Sequence, residues 1–481
     1  MSANLDIVDA RIVLPESGVV PGTLVVRDGI VAQIRPDGGA TGQAEVFDAG
    51  GRYVLPGLID PHVHSGLLPP LGDRLQAESA FALSGGVTTI VRYFRRPDSY
   101  LETLPDQVAL GAERHYQDFA HHLALFTREQ VDELGRYVTE LGVTSFKLYM
   151  NLKGPFGKNV LMDLRVDAPD ELETADVDFS DGHLWHVFKT AAALPFKVRI
   201  NIHSEDPEIV VEEMARVRET GLEGLPAWHA SRPGASEAIA IQTVGYLSRR
   251  FGVPVYFPHI GSREAIGALV DVRARGTDYG AEVCPQYVAL TTDSDAGTLA
   301  KVMPPVRTSE DVPRVWWGIA EGLLTSFGSD HIAYTLEEKD PGSIWTTRPA
   351  FGGTGMILPI FLSQGVNQGR MTIRQIAEIG SLNTARLFNL YPKKGTLLPG
   401  SDADFVVVDL DQEWTVRAGD LLSHSDFSVY EGSTVRGAVS AVGVRGEIMY
   451  RDGALVGKPG RGRYLRRFPS LEATSSISVP A

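Results

Sequence analysis

Hydrophobic and polar positions near the two ends of the chain follow a strand-like pattern. Short apolar runs with interspersed polar residues lie at 5–14, 22–27, 30–34, 403–409, 439–444 and 448–450. Asp28-Gly29 and Asp452-Gly453 adjoin such runs, and Asp-Gly in that setting is a strong hairpin signal. Neither end is long enough to bury much surface alone. The pattern therefore predicts one small β-sandwich built from both termini.

The middle of the chain alternates short apolar runs with amphipathic stretches, which is typical of parallel βα units. The predicted strands lie at 57–59, 88–93, 122–126, 145–149, 198–202, 255–257, 279–283 and 326–328. The predicted helices lie at 75–84, 128–141, 208–219, 235–250, 262–275 and 311–323. Eight strands are the number that a closed barrel needs. The predicted fold class is α/β, a (β/α)8 TIM-like barrel at residues 57–390 with a small β-sandwich domain from residues 1–56 and 391–481.

Composition narrows the class of protein. The 481 residues are 43% hydrophobic and 22% charged, and the formal net charge of -15 argues against a nucleic-acid surface. The sequence has neither a run of about 18 apolar residues nor the start of a secretory signal. Cys284 is the only cysteine, so no intramolecular disulfide is expected. These features predict a cytoplasmic protein with a small-molecule substrate and with neither nucleic acid nor membrane as a partner.

The first candidate for chemistry is His62-Val63-His64, which follows the apolar run at 53–59. Alternate side chains of a strand share a face, so the two imidazoles point the same way, roughly 7 Å apart. Two imidazoles on one face at the end of a buried strand suit a metal ion. The alternative is two ordinary polar residues at a junction between a strand and a loop.

Further metal-compatible side chains lie in or directly after four other predicted strands. They are Lys147, His203, His259 and Asp330. Each has an ordinary explanation by itself: a buried lysine that extends its head to the rim, hydrogen-bonded core histidines, and an aspartate that begins a helix. Barrel enzymes carry their active sites at the carboxyl ends of the strands. Six such groups at five strand ends therefore predict a metal centre.

The six groups suit two divalent cations. An ammonium cannot bind a metal, but Lys147 carboxylated by CO2 presents an anionic carbamate that can bridge two cations. One ion is then held by His62, His64 and Asp330, and the other by His203 and His259. Two cations about 3.5–4 Å apart lower the pKa of a bridging water and polarise a carbonyl, which a metal-bridging hydroxide can attack. Asp330 would also take the proton of that water and pass it to the leaving nitrogen.

Motifs along nearly the whole chain resemble the amidohydrolase superfamily, and specifically its hydantoinase/dihydropyrimidinase branch. They are Pro-Gly-Leu-Ile-Asp-Pro-His-Val-His (56–64), Gly-Gly-Val-Thr-Thr-Ile (85–90), Ser-Phe-Lys-Leu-Tyr-Met (145–150), Val-Cys-Pro-Gln-Tyr (283–287), Val-Met-Pro-Pro-Val-Arg (302–307) and Gly-Ser-Asp-His (328–331). The resemblance implies N6-carboxylysine at Lys147 and two divalent metal ions, usually Zn2+, with Mn2+ or Co2+ as alternatives. It also implies a homo-oligomer, a tetramer or a dimer, that hydrolyses the amide C–N bond of a hydantoin- or dihydropyrimidine-like ring.

Three departures from the family pattern bear on the substrate. The family places a tyrosine five residues after the carboxylated lysine, whereas this chain has Leu152; Tyr149, on the same strand face as Lys147, is the candidate replacement. The segment 152–181 is longer than the family norm and is either a lid or a tolerated surface insertion. The segment 65–68 lacks the arginine with which dihydroorotases hold a carboxylate, which counts against that activity.

The candidate substrate-binding residues are Tyr149, Leu152, Gln286, Tyr287 and Phe351. Gln286, Tyr287 and the backbone near Ala350 match positions where the family contacts the amide edge of the substrate. An apolar or aromatic substituent is favoured by Leu67, Leu68, Trp345 and Phe351. A group of three arginines, Arg92, Arg95 and Arg96, either meets an anion or forms a charged rim.

Two other functions stay open at this point. The first is the same metal chemistry on an acyclic amide, a urea or a carbamate, which the leucine at position 152 leaves room for. The second is a non-catalytic, dihydropyrimidinase-related assembly protein, a class whose members have lost ligands. All six candidate ligands are present in this chain, which argues against the second function.

Overall fold

The computed structural model of the chain describes residues 4–36 and 38–469, and its centre is a sheet of eight parallel strands. The strands are Leu58–Val63, Val87–Phe94, Asp118–Ala124, Ser145–Tyr149, Arg199–His203, Val255–Phe257, Tyr279–Val283 and Ser326–Phe327. Each pairs with the next along the chain. Beyond the last strand, Val63 forms a parallel bridge with His331, and the backbone N–H of His64 donates to the carbonyl of His331 at 2.8 Å. The strands thus form a nearly closed barrel, as predicted.

Helices connect and cover the barrel strands. The α-helices are Leu71–Ser84, Tyr100–Arg114, Arg128–Asp132, Leu134–Leu141, Asp181–Ala192, Pro207–Thr220, Gly224–Ala230, Gly234–Phe251, Arg263–Ala274, Gln286–Ala289, Val312–Ala320, Leu336–Lys339, Ile357–Phe361, Ile373–Ala377 and Thr384–Leu387. Short 3-10 turns lie at Gly154–Gly157, Gly297–Ala300, Thr354–Met356 and Ala418–Asp420, and π-helical turns at Leu362–Val366 and Glu378–Asn383. The helix predicted at 128–141 is two helices. No helix among residues 4–36 and 38–469 combines the length and apolar character that crossing a bilayer requires.

One predicted barrel strand is displaced along the chain. The strand predicted at 122–126 lies at Asp118–Ala124. It begins with a buried aspartate, whose Oδ2 lies 2.6 Å from Nζ of Lys394, and Arg445 pairs with its other oxygen. The sequence pattern excludes Asp118 from the strand because a charged residue interrupts an apolar run. Its burial is possible because Lys394 and Arg445, far along the chain, compensate its charge.

A second sheet of nine strands combines both ends of the chain. Its strands are Leu5–Leu14, Gly18–Arg27, Ile30–Pro36, Glu45–Asp48, Tyr53–Pro56, Phe405–Thr415, Thr434–Val444, Glu447–Arg451 and Ala454–Leu455. The antiparallel pairing of Tyr53–Pro56 with Phe405–Thr415 joins the two halves. Their buried apolar side chains share one core, which includes Ile7, Phe405 and Ala441. The predicted β-rich domain from both termini is confirmed; the boundaries at 56 and 390 stay predictions, and positions 1–3, 37 and 470–481 lie outside the described residues.

The segment 152–181 lies over loops that follow the first two barrel strands. It forms a small hairpin from Val160–Leu161 and Thr174–Ala175. The N–H of Leu164 donates to the carbonyl of Gly66 at 2.8 Å, and the N–H of Asp163 donates to the carbonyl of Arg95 at 2.9 Å. Leu161 packs against a buried apolar cluster of Leu67, Leu68, Tyr334 and Ala350. The segment is therefore fastened to the carboxyl-end loops of the barrel.

Candidate metal centre

Three of the predicted ligands form a compact buried cluster. One ligand atom from each of His62, His64 and Asp330 lies within 4.8 Å of the others. Nε2 of His62 is 3.2 Å from Nε2 of His64, and Oδ1 of Asp330 is 3.0 Å and 3.5 Å from these two nitrogens. Asp330 has a positive φ of 54°, a conformation that aspartate adopts more readily than most residues. The first and last barrel strands thus aim three metal-ligating atoms at one point.

A second pair of histidines lies beside this cluster. The ring centres of His203 and His259 are 4.5 Å apart, and the ring centre of His259 is 5.4 Å from that of His62. His203 is the last residue of its strand, and His259 follows its strand through Pro258 with a positive φ of 47°. Nδ1 of His259 is buried and has no hydrogen-bond partner in the described part of the chain. The two histidines therefore offer ligand atoms next to the first three.

Lys147 extends into the barrel between these groups and the aromatic residues Tyr93 and Tyr149. Its Nζ is 4.5 Å from the ring centre of Tyr93 and 5.0 Å from that of Tyr149. The side chain is fully buried, and Nζ has no hydrogen-bond partner among residues 4–36 and 38–469. Burial lowers the pKa of Lys147 to about 7, although the negative charges of Asp330 and Glu282 oppose that shift. A buried amine without a partner is costly as a cation and suits a group that is to be modified.

Two buried carboxylates that the sequence analysis missed orient the histidines. Oε1 of Glu282 lies 2.8 Å from Nδ1 of His62, and Oε2 of Glu205 lies 2.7 Å from Nε2 of His203. The guanidinium of Arg232 holds Glu205 at 2.8 Å. A carboxylate on the second ring nitrogen of a metal-binding histidine fixes its tautomer and orientation. The one sequence signal was an acidic residue inside the apolar barrel strand Tyr279–Val283.

The charges of the cluster are strongly coupled. Burial lowers the pKa of His62, but the charges of Glu282 and Asp330 outweigh it and raise the pKa to about 9. Burial lowers the pKa of His64 to about 3, and the charges of His62 and Arg95 add to that fall. Burial raises the pKa of Asp330, yet the charge and hydrogen bond of His62 hold it well below its usual range. Asp330 is therefore ionised at neutral pH.

The predicted substrate-binding residues divide into free and engaged groups. The hydroxyl of Tyr149 and Nε2 of Gln286 are buried and have no hydrogen-bond partner within the described ranges. The hydroxyl of Tyr287 donates to the carbonyl of Pro304 at 2.8 Å, so it is already engaged. Phe351 is buried, and the half-buried Leu152 offers no polar side-chain atom. Tyr149 and Gln286 therefore each have a hydrogen-bond donor that is available to a ligand.

Comparisons with known proteins identify one family. The amidohydrolase family matches residues 279–449. An L-hydantoinase of Paenarthrobacter aurescens is 30% identical over 459 residues, which cover 94% of this chain and 95% of that protein. A D-hydantoinase of Rhizobium radiobacter is 30% identical over 471 residues, covering 95% and 97%. The structure of the L-hydantoinase (dihydropyrimidinase) from Arthrobacter aurescens matches with a TM-score of 0.86 and 29% identity over 96% of this chain and 99% of that one.

The chain belongs to the hydantoinase/dihydropyrimidinase branch of the amidohydrolase superfamily. The prediction of an amidohydrolase is therefore confirmed. The superfamily is metal-dependent, and the cluster of His62, His64 and Asp330 provides a site of the kind that this dependence requires.

Proposed function

We propose that this amidohydrolase opens a hydantoin- or dihydropyrimidine-like ring by hydrolysing an amide C–N bond at a centre of two divalent cations. The proposed ligands are His62, His64, Lys147, His203, His259 and Asp330. The observation that supports the proposal is the buried cluster of His62, His64 and Asp330, with the rings of His203 and His259 beside it. The buried Nζ of Lys147 lies over the ring of Tyr93, which itself packs on His62. The hydantoinases of similar sequence and fold support the substrate class.

The donor set fits two cations. Nε2 of His62 and Nε2 of His64 are only 3.2 Å apart, with a carboxylate oxygen beside both, which is the arrangement of ligands around one shared cation. The unpartnered Nζ of Lys147 fits carboxylation, in which the neutral amine bonds to CO2 and releases a proton. The resulting carbamate would turn an unpaired buried amine into an anionic oxygen donor. We propose Zn2+ as the metal, with Mn2+ or Co2+ as alternatives.

The bound cations would supply an activated water and polarise the scissile carbonyl. Asp330, ionised and beside both histidines, accepts a proton from the attacking water and donates it to the leaving ring nitrogen. The water oxygen bonds to the carbonyl carbon as the C–N bond breaks, so the ring opens to a carboxylate and an amide or urea nitrogen. Glu282 and Glu205 keep His62 and His203 in orientation throughout.

Tyr149 is the best candidate to replace the tyrosine that the family has at the position of Leu152. Its hydroxyl is buried and unpartnered in the described chain, and its ring adjoins Nζ of Lys147. We propose that it donates to the carbonyl oxygen of the substrate, with Gln286 on the amide edge and Leu152, Tyr287 and Phe351 shaping the walls. The segment 152–181 would act as a lid that covers the site, because it lies over the loops around the site and hydrogen-bonds to them.

The protein would act on a small molecule in the cytoplasm as a homo-oligomer, a tetramer or a dimer. The test is metal analysis of the purified protein, followed by hydrolysis assays on hydantoin, dihydrouracil, allantoin and matched acyclic ureas and aryl amides. Two metal ions per chain with turnover of a cyclic amide support the proposal. Turnover of acyclic compounds alone would favour the alternative function, hydrolysis of an acyclic amide, urea or carbamate, which the leucine at position 152 leaves open. A purified protein that lacks metal, and gains no activity with Zn2+ and bicarbonate, would contradict the proposal.

A further inference from the structure

Three arginines, at positions 92, 95 and 96, lie at the carboxyl end of the second barrel strand, and two of them form salt bridges with carboxylates. Nη2 of Arg92 lies 2.6 Å from Oδ1 of Asp163. The guanidinium of Arg96 lies 2.6 Å from Glu173 and 2.7 Å from Asp98. Both guanidinium groups are almost completely buried. The charges of these two arginines are therefore balanced within the chain, in part by acids of the segment 152–181.

Arg95, between them, has no such partner. Its guanidinium forms no salt bridge with any carboxylate in residues 4–36 and 38–469, and its buried Nε has no hydrogen-bond partner there. Both oxygens of Asp163 are already used: Oδ1 binds Arg92, and Oδ2 accepts the backbone N–H of Arg95 at 2.8 Å. Partial burial of an unpaired charge is unfavourable. The side chain is therefore available to an anion from outside the chain.

The position of Arg95 is next to the proposed reaction centre. Its Cζ is 6.0 Å from the ring centre of Tyr149, and Nζ of Lys147 is 5.0 Å from the same ring centre. The hydroxyl of Tyr149 is buried, and the charge of Arg95 opposes the rise that burial causes in the pKa of this hydroxyl. One aromatic ring thus separates the guanidinium from the metal-ligating lysine, a span that a ring substituent can bridge.

The surroundings of this span are apolar. Leu67 and Leu68 follow the metal-binding strand end, and Tyr334 lies in the same buried cluster. Burial raises the pKa of Tyr334, while the charges of Arg348 and Arg95 oppose the rise, so both guanidinium groups act on this cluster. A ring substituent that passes along this apolar cluster needs an apolar stem, and the end of the substituent meets the positive charge of Arg95.

We propose that Arg95 binds a carboxylate at the end of a short side chain on the cyclic amide. The preferred substrates are then hydantoins or dihydropyrimidines with an acidic substituent, such as a carboxyethyl group. The assignment rests on the proposed hydrolysis of cyclic amides and specifies its substrate class. It also reconciles the apolar lining of the site with a cation that lacks an internal partner.

The test compares two isosteric substrates, 5-(2-carboxyethyl)hydantoin and its carboxamide, with the metal-loaded enzyme. We expect kcat/KM to favour the carboxylate by about 10- to 100-fold, which is the range for a hydrogen bond to a charged group. Arg95→Gln should bring the ratio of the two kcat/KM values close to one. Arg95→Lys should retain part of the preference, because the ammonium keeps the charge but loses the planar fork.

The matched control is Arg136→Gln on the exposed surface of the helix Leu134–Leu141, which should keep the wild-type ratio. Thermal unfolding shows whether each variant is folded. If Arg95→Gln does not fold, the ratio of the two kcat/KM values in the wild type and in Arg95→Lys still tests the role of Arg95. Turnover of both hydantoins without a preference, or an unchanged ratio in Arg95→Gln, overturns the role of Arg95 and leaves the proposed function intact. If neither ring is opened, the proposed function fails, and this assignment fails with it.

Discussion

Glu282 places its Oε1 atom 2.8 Å from Nδ1 of His62 and accepts the backbone N–H of His259 at 3.0 Å with the same atom. One buried carboxylate thereby positions histidines from both halves of the proposed centre. Its other oxygen accepts the hydroxyl of Tyr256 at 2.8 Å. Both oxygens of Glu282 are thus engaged within the chain, so we expect it to position the ligands.

Replacing this carboxylate by an amide tests that contribution. Glu282→Gln keeps the shape but removes the charge that fixes His62, so we expect metal affinity or activity to fall about 10- to 100-fold. Metal titration and steady-state kinetics measure both. Tyr256→Phe removes the hydroxyl that contacts Oε2 of Glu282 and Oγ of Ser326 but leaves the charge beside His62, so it should have a smaller effect. Wild-type metal affinity and activity in Glu282→Gln would remove Glu282 from the centre.

Removing the bridging side chain should empty the centre without unfolding the protein. Lys147→Ala should abolish metal binding and activity, because the carbamate would be lost. The fold should persist, because Nζ makes no hydrogen bond within residues 4–36 and 38–469. Metal analysis and circular dichroism check the two parts. Lys339→Met is the matched control: this buried lysine donates to the carbonyls of Lys301 and Ala350, neither of them a proposed ligand, so its loss should leave the metal bound. A fully active Lys147→Ala variant would contradict the bridge.

The proton transfer is tested at Asp330. Asp330→Asn should lower kcat by about 100- to 10,000-fold while substrate binding persists, because an amide cannot accept the proton. Asparagine tolerates the positive φ of 54°, so the backbone should not change. Asp340→Asn, at another positive φ of 48°, is the backbone control. An unchanged rate would remove the proton-transfer role.

The free energy of unfolding should increase with pH because the pKa of Lys339 is lowered in the folded protein. Burial lowers its pKa from 10.5 to about 6, and the charge of Lys301 adds to the shift. Between these values the unfolded chain binds the proton and the folded chain does not, so the free energy of unfolding increases with pH by up to about 1.4 kcal/mol per unit. Urea unfolding at pH 6.5 and 8.0 measures the slope. Lys339→Met should flatten it, and an equal slope in both proteins would refute this origin.

The segment 152–181 depends on one buried ion pair. Asp163→Ala leaves the guanidinium of Arg92 buried without its carboxylate, which should cost about 3–5 kcal/mol of local or global stability. We expect faster limited proteolysis within the segment and a higher KM. Asp167→Ala, whose partner Arg165 is exposed, should change neither. Equal proteolysis of the Asp163→Ala variant and the wild type would show that the pair does not fasten the segment.

The sequence predicts what is local to strand ends and misses what depends on distant partners. His62 and His64 are recognisable because a strand aims alternate residues at one face, and the barrel order then brings His203, His259 and Asp330 to the same end. The role of Glu282 depends on a neighbour more than two hundred positions away, which no local pattern encodes.

The three arginines of 92–96 show the same limit. They look alike in sequence, yet two find acids in the segment 152–181 and one does not. That segment is a short hairpin without the periodicity of a regular element, so its pairing with the arginines is fixed only by the tertiary structure. Likewise, nothing near Tyr287 indicates that its hydroxyl is engaged by Pro304.

The shared sheet has a consequence for how the chain is made. The strand Tyr53–Pro56 emerges from the ribosome early, but one of its neighbours, Phe405–Thr415, is synthesised only after the whole barrel. The N-terminal strands must therefore wait with an unpaired apolar edge, a state prone to aggregation during synthesis. Completion of this sheet is thus tied to the strands between residues 405 and 455, and a nascent chain that stops before them would leave an unprotected edge for chaperones to cover.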